Sequence, residues 1–284
     1  MTIETRSEHD FDTGATSDLN LRVSAANLVK VYFNQPLDQQ TKLVLERTAT
    51  LRASHGRYTA SVRAKPFGGG LMINGPGVQR TDVGEFNFDS YRSHVEKDFR
   101  IFINPTNWDS LKQFCWQHLR EPSEVLESSP RRELVEEFRD ALKTDIKPEQ
   151  YHMKWSKIVV EDDPIRTGSP RSTGSLTTRI YSIHEMQVLD ADIIADLIES
   201  STSRSNQDLR EEAERDYQKG GRGRANAVLA LDYENLVEVF NKLPKAPNHG
   251  ITRVWGNDLE SNVLALIDEV ESNKYQDLSF DGFK

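Results

Sequence analysis

The clearest helical pattern of the chain is SSPRRELVEEFRDALKT, residues 128–144. At about 100° per residue, four carboxylates share one face of this helix and the adjoining face is apolar. The carboxylates belong to Glu133, Glu136, Glu137 and Asp140. The apolar side chains are Leu134, Val135, Phe138, Ala141 and Leu142. The pattern predicts a helix that packs against a core and holds an acidic strip beside it.

The acidic strip needs a counter-charge. Like charges three and four residues apart repel on a helix, so the strip lowers stability unless a cation neutralises it. Hard divalent cations prefer oxygen ligands, and Mg²⁺ or Mn²⁺ is therefore the natural partner. A solvated helix face without a metal is the alternative, because acidic faces are common on helices.

The segment from Glu124 to Glu137 resembles the Nudix signature, G-x5-E-x7-R-E-U-x-E-E-x-G-U, in which U is a bulky aliphatic residue. Glu124 is followed by seven residues and then by Arg132-Glu133-Leu134-x-Glu136-Glu137, which is the centre of the signature at its correct spacing. Upstream, Lys65-Pro66-Phe67-Gly68-Gly69-Gly70-Leu71 resembles the strand-end glycine run that precedes the signature in this family.

The flanks of the signature differ. His118 stands where the family has its leading glycine, and Arg139 and Asp140 replace the final glycine and aliphatic residue. Because a glycine there ends or bends the helix, Arg139 predicts that the helix continues. An insertion of about residues 71–120 would separate the glycine run from the signature.

The resemblance implies a role for each matched residue. Glu133, Glu136 and Glu137 would hold Mg²⁺ or Mn²⁺, which neutralises a diphosphate and lowers the pKa of an attacking water. Glu136, Glu137 and Arg132 are the catalytic candidates, with Glu136 preferred as general base and Arg132 orienting a glutamate through a salt bridge. Glu124 would have a structural role.

Two further groups are candidates for substrate binding. The backbone of Gly68, Gly69 and Gly70 would approach the metal or phosphate, because no Cβ obstructs it. Arg166, Arg171 and Arg179 are associated with the basic loop 164–176, and arginine suits bidentate phosphate contacts. A solvated loop is the alternative interpretation of this segment.

The predicted fold class is α/β. Residues 21–200 are expected to form a Nudix-like α/β/α sandwich with a mixed sheet, preceded by a disordered leader, 1–20, and followed by a helical extension, 201–284. The helices expected in this extension are 206–218, 225–243 and 257–272. The sequence does not decide whether the chain forms a homodimer through its C-terminal helices.

Composition limits the function further. The chain of 284 residues has a formal net charge of −9, which argues against an extended nucleic-acid surface or an anionic membrane as partner. Its one cysteine, Cys115, excludes an intrachain disulfide and is expected to be buried and inert. The chain has no apolar stretch of membrane-spanning length and no signal-peptide pattern, so a cytoplasmic location is expected.

The leading hypothesis is a metal-dependent hydrolase that cleaves a phosphoanhydride in a nucleoside diphosphate linked to another moiety, so that the partner is a nucleotide-type small molecule. One alternative is a Nudix-like domain with weak or lost catalysis that senses nucleotides or binds proteins. A second alternative is an unrelated α/β interaction protein whose acidic helix is coincidental.

Overall fold

The computed structural model describes residues 20–54, 57–74, 83–166, 174–243, 251–272 and 274–279. The predicted leader, apart from Asn20, and Arg171 lie outside the described residues. The strands are β1 (Leu21–Asn34), β2 (Thr41–Ser54), β3 (Arg57–Lys65), β4 (Phe86–Phe88), β5 (Arg100–Ile103), β6 (Tyr151–Arg166), β7 (Leu176–Val188), β8 (Arg224–Asp232), β9 (Thr252–Val254), β10 (Asn257–Leu259) and β11 (Gln276–Asp277).

The described helices lie between these strands. They are α1 (Tyr91–Glu96), α2 (Trp108–Leu119), α3 (Arg131–Leu142), α4 (Ala191–Ser203), α5 (Asn206–Gln218) and α6 (Tyr233–Lys242). Short 3₁₀ helices cover Pro105–Asn107, Pro148–Gln150 and Ser261–Leu266. None of the helices described here is long and apolar enough to cross a membrane.

The strands form one mixed sheet with the path β11-β6-β7-β1-β2-β3-β10-β9. β1 runs parallel to β7 and antiparallel to β2, and β8 adds to β2. The second edge of β1 is divided: β5 pairs with its start, β2 pairs with its end, and the glycine segment bonds to the stretch between them. The α/β class and the mixed sheet are therefore confirmed.

Apolar side chains cover both faces of the sheet, because neighbouring residues of a strand point to opposite sides. Val29, Val31 and Phe33 pack with Leu134 and Phe138 of α3. On the other face, Leu28, Leu43 and Leu45 pack with α6 and with the 3₁₀ helix at Ser261–Leu266. α3 thus lies over the middle of β1, beside the glycine segment.

The predicted helix over 225–243 is wrong in its first half. Residues 224–232 form β8, which pairs with β2 from Thr50↔Arg224 to Lys42↔Asp232, and only Tyr233–Lys242 is helical. The run Ala-Val-Leu-Ala-Leu at 227–231 is apolar throughout, and periodicity cannot separate a short buried strand from a helix. Sheet pairing decides in favour of the strand.

In two other places, the structure has a strand where the sequence predicted a helix or an insertion. The predicted helix 257–272 consists of β10 and a 3₁₀ helix, so residues 201–284 contain strands as well as helices. The segment 71–120, predicted as an insertion, contributes β5 to the sheet by pairing with β1. The predicted helix 206–218 is confirmed as α5.

Candidate functional site

The glycine segment Gly68–Gly70 lies against the middle of β1. The Asn27 amide donates to the Gly69 carbonyl over 3.0 Å, and the Val29 amide donates to the Phe67 carbonyl over 2.8 Å. Gly68 has a φ of +117°, and a Cβ there would overlap the backbone oxygen of Asn27. Position 68 therefore requires glycine for both its backbone angle and its space.

Helix α3 contacts this segment through apolar packing and through two carboxylates. The Phe67 and Phe138 rings lie 4.8 Å apart between centroids. The Gly68 amide donates to Glu137 Oε2 over 2.6 Å. A Cβ on Gly69 would come within 2.6 Å of Glu133 Cδ. The structure thus brings Gly68 and Gly69 together with two of the predicted metal ligands.

A buried ion cluster lies behind Glu137. Lys65 Nζ lies 2.7 Å from Glu137 Oε1 and 2.5 Å from Glu46 Oε2. The Glu46 side chain is fully buried, and its other oxygen accepts from Thr48 Oγ1 over 3.0 Å and from Arg224 Nη2 over 3.1 Å. We call Glu46, Lys65, Glu137 and Arg224 the inner cluster.

The inner cluster shifts the pKa values of its members. Burial raises the pKa of Glu137 to about 8, and the charge of Glu46 adds to this, while Lys65 and the Gly68 amide oppose it. Burial also acts to raise the pKa of Glu46, but Lys65 and Arg224 bring it below its usual value. Burial disfavours charged Lys65, yet Glu137 and Glu46 raise its pKa overall. Glu46 and Lys65 are therefore charged at neutral pH, and Glu137 is the member whose charge burial disfavours most.

A second, more exposed ion cluster surrounds Arg132. Its Nε and Nη2 donate to the two oxygens of Glu127 over 3.2 and 3.1 Å, the bidentate geometry that favours arginine. Its Nη1 lies 2.7 Å from Glu133 Oε1 and 3.8 Å from Glu136 Oε2. We call Arg132, Glu127, Glu133 and Glu136 the outer cluster.

Glu127, which the sequence analysis did not select, is thus the bidentate partner of Arg132. Glu124 is exposed on the loop before α3. The sequence did contain an indication of this pair, because a glutamate and an arginine five positions apart flank the start of α3. The Nudix signature has no glutamate at that position, so comparison with the signature did not reveal it. Lys65, at the head of the quoted glycine run, and Glu46 were also missed.

The carboxylates on α3 match the donor preference of a hard cation but are already paired with cationic side chains. Glu133, Glu136 and Glu137 offer oxygen ligands on one helix face. Among the residues that the structure describes, no three His, Cys, Asp or Glu side chains form a group arranged to hold a metal ion. Glu136 is the most accessible of the three, with 58% of its side chain exposed.

Gly70 contacts a different acid. A Cβ at position 70 would overlap the carboxylate of Asp98, whose Oδ2 lies 3.1 Å from Arg100 Nη1. Burial raises the pKa of Asp98. The three glycines therefore meet three acids in turn, Glu137, Glu133 and Asp98, and the last of these was not predicted.

The predicted arginines of the basic loop have local partners. Arg166 Nη1 donates to the Gly174 carbonyl over 2.8 Å. Arg179 lies on β7 and pairs with buried Glu161 over 2.6 Å, so its assignment to the basic loop was wrong. The site role of Arg166 stays a prediction.

Buried polar side chains support the loop that leads into α3. Asn27 Nδ2 donates to the Glu127 carbonyl over 3.2 Å, and His184 hydrogen-bonds to the backbone of Ser128. Burial lowers the pKa of His184 to about 4, so its ring is neutral at pH 7. Asn27 and His184 thus fix the backbone from which the outer cluster begins.

Cys115 is buried, as expected, and burial raises the pKa of its thiol.

Comparisons of the chain with protein-family models, with curated proteins and with solved structures give no significant match.

Proposed function

We propose that the chain is a metal-dependent hydrolase with a Nudix-like domain over residues 21–200. Its substrate would be a nucleoside diphosphate linked to another moiety, cleaved at the phosphoanhydride. The convergence of Gly68 with Glu137, which are 69 positions apart in sequence, carries the proposal. A glycine backbone beside several carboxylates is an arrangement that suits a metal-bound diphosphate, because the backbone approaches closely and the acids supply oxygen ligands.

Each residue of the site has a role in this proposal. Glu133, Glu136 and Glu137 would hold Mg²⁺ or Mn²⁺, which when bound supplies charge neutralisation and an acidified water. The Gly68 amide fixes the orientation of the Glu137 carboxylate, and Arg132 fixes that of Glu133. Glu136, the most exposed of the three, is the preferred acceptor of the proton from water.

The test is a hydrolysis assay with a matched control on the same helix. The purified chain is incubated with Mg²⁺ or Mn²⁺ and ADP-ribose, dinucleoside polyphosphates, NADH or nucleotide sugars, and release of a nucleoside monophosphate is measured. We expect metal-dependent release that Glu136→Gln and Glu137→Gln each abolish. Asp140→Asn removes an exposed carboxylate from the same face and should retain activity. Absence of release with both metals, or full activity in Glu136→Gln, contradicts the proposal.

A second function, nucleotide sensing or protein interaction without turnover, is favoured by one observation. Lys65 and Arg132 already pair with the carboxylates of α3, so the chain's own cations compensate part of the negative charge of the site. Nucleotide binding without turnover that survives both glutamine substitutions would favour this function. An unrelated interaction protein would show neither binding nor turnover.

A further inference from the structure

Two cationic side chains share one buried carboxylate on the face of the sheet opposite α3. Tyr181, two positions after Arg179 on β7, packs with the apolar side chains under α6, so Arg179 points to that face as well. Arg179 Nη1 lies 2.6 Å from Glu161 Oε2, and Lys274 Nζ lies 3.4 Å from Glu161 Oε1. We call Glu161, Arg179, Lys274 and the neighbouring Tyr275 the rear cluster.

The rear cluster contains a guanidinium and an ammonium group but one carboxylate. The side chains of Glu161 and Lys274 are 1% and 5% exposed, so water screens their charges little. The Lys274 ammonium donates to the neutral hydroxyl of Ser261 over 2.9 Å, and among the described residues no other carboxylate lies within ion-pair distance of Lys274 or Arg179. One buried positive charge is therefore left without a counter-ion of its own, which is costly in a protein interior.

The Tyr275 hydroxyl is a buried polar group without a partner. Tyr275 is 7% exposed, and its hydroxyl makes no hydrogen bond of good geometry within the described part of the chain, although Ser261 and Tyr181 are its neighbours. The Lys274 ammonium lies 5.2 Å from the centroid of the Tyr275 ring, so the excess cation and the unpaired hydroxyl lie side by side. Native proteins usually satisfy such a buried group, and both features call for the same partner, an anion that accepts hydrogen bonds.

Further arginines surround the rear cluster. Ser24 on β1 pairs with Arg100 on β5 and with Arg179 on β7, which places these two arginines and Arg22 on one face of the sheet. Arg22 and Arg100 each pair with an aspartate. Burial lowers the pKa of Arg22, its aspartate opposes this, and the charges of Arg100 and Arg179 add to the lowering. The guanidinium groups are thus close enough to repel one another, and an anion at this face would relieve the repulsion.

The donors of the rear cluster suit a tetrahedral oxyanion. A guanidinium has five N–H donors, and the ion pair with Glu161 uses Nη1 of Arg179. The Lys274 ammonium and the Tyr275 hydroxyl add donors from a different segment of the chain. Arginine and lysine are the usual side chains that bind phosphate, because its several oxygens accept from many donors. The Arg179 side chain is 25% exposed, so the cluster is connected with solvent on that side.

We propose that the rear cluster binds a phosphate group, which accepts hydrogen bonds from Arg179, Lys274 and the Tyr275 hydroxyl. This second site goes beyond the proposed function, because none of its residues belongs to the glycine segment or to α3. The phosphate balances the excess cation and gives the hydroxyl an acceptor. Residues 274–279 also pair with β6, so a bound phosphate fastens this segment to the sheet and stabilises the folded chain.

The experiment is a calorimetric titration of the full chain with inorganic phosphate, at constant ionic strength and without divalent metal. Lys274→Met should weaken phosphate binding about tenfold or more, because the excess cation is gone. Lys154→Met is the matched control, since Lys154 is an exposed lysine paired with Glu185 and should leave the affinity unchanged.

A parallel titration with adenosine monophosphate identifies the source of the phosphate group. Binding tighter than that of inorganic phosphate, and weakened equally by Lys274→Met, would identify a phosphate ester as the ligand. Binding weaker than that of inorganic phosphate would identify the free ion.

A second variant keeps the test independent of the folding of Lys274→Met. Tyr275→Phe removes a hydroxyl that has no partner among the described residues, so the stability of the free chain should not fall, while phosphate binding should weaken about threefold. Circular dichroism identifies any variant that does not fold. Failure of the wild type to bind phosphate, or wild-type affinity in folded Tyr275→Phe or folded Lys274→Met, overturns the inference.

Discussion

Helix α3 contributes glutamates to both the inner and the outer cluster, and in each cluster they pair with a cationic side chain. The two clusters differ in how far their carboxylates are exposed to water: Glu46 is fully buried and Glu137 is 13% exposed, whereas Glu133 is 29% exposed and Glu136 58%. The arginines do not differ in this way, since 43% of the Arg224 side chain and 41% of the Arg132 side chain are exposed. Glu137 and Glu133, one turn apart on α3, therefore belong to differently solvated ion pairs. The helix itself does not distinguish them.

The difference shows how burial converts a similar contact into a different energetic role. Exposed ion pairs contribute little, because water and salt screen them and the side chains lose freedom. Buried pairs are sensitive to the loss of one partner, since the remaining charge has no water to replace it. The inner cluster should therefore determine stability, and the outer cluster should exchange its partners readily.

The largest effect is expected at the backbone that joins the two clusters. Gly68→Ala should lower the free energy of unfolding by about 5 kcal/mol, because the positive φ is strained and the Cβ overlaps the Asn27 carbonyl. Urea denaturation followed by circular dichroism measures the change. Gly220→Ala, at a positive φ with open space around it, should lose only about 1 kcal/mol. Equal losses at the two positions would break the comparison.

Removal of the cation from the inner cluster comes next. Lys65→Met should lower the free energy of unfolding at pH 7 by about 4 kcal/mol, since the fully buried Glu46 carboxylate loses the ammonium group that lies against it. The same urea titration gives the value. Lys154→Met, which removes an exposed lysine, should change stability by less than about 0.5 kcal/mol. A neutral effect at Lys65 would show that burial does not separate the clusters.

The pH dependence of the free energy of unfolding tests the role of His184, which holds the loop that leads into the outer cluster. The folded pKa of His184 is lowered to about 4, so the folded state binds fewer protons than the unfolded state at mildly acid pH. Its contribution is fully present above the unfolded pKa of about 6.5 and is lost as pH falls through about 4, a change of about 3 kcal/mol. His184→Gln should therefore flatten the stability profile between pH 6.5 and 4. His152→Gln, at an exposed position, should reproduce the wild-type profile.

The smallest effect is expected in the outer cluster. Arg132→Gln should change the free energy of unfolding by less than about 1 kcal/mol, because its partners Glu127, Glu133 and Glu136 remain partly in contact with water. Urea titrations at low and high salt measure it, and the small loss should shrink further as salt screens the pairs. A loss as large as that of Lys65→Met would mean that exposure does not weaken these contacts.

Sequence reasoning succeeded where a single segment contained the whole signal. The periodicity over 128–144 predicted α3, and its apolar residues Leu134, Phe138 and Ala141 are buried. Arg139 in place of glycine predicted continuation of the helix, which extends to Leu142. The glycine run also marked a position of close backbone approach, and Gly68 has the required φ.

It failed where distant segments compete for pairing. The apolar run at 227–231 fits a helix and a strand equally well, and only the free edge of β2 makes it a strand. Arg224, at the start of that strand, is consequently placed next to Glu46, 178 positions away. No local pattern contains this information.

The sequence by itself determined the helix, its apolar face and the acidic strip, because a period of about 3.6 residues acts within one continuous segment. Only the tertiary structure decided which cation meets each carboxylate. Lys65, Glu46 and Glu137 come from β3, β2 and α3, and their distances depend on how the sheet pairs and how α3 packs on it. Burial, which separates the inner from the outer cluster, is likewise a property of the packed whole and not of any segment.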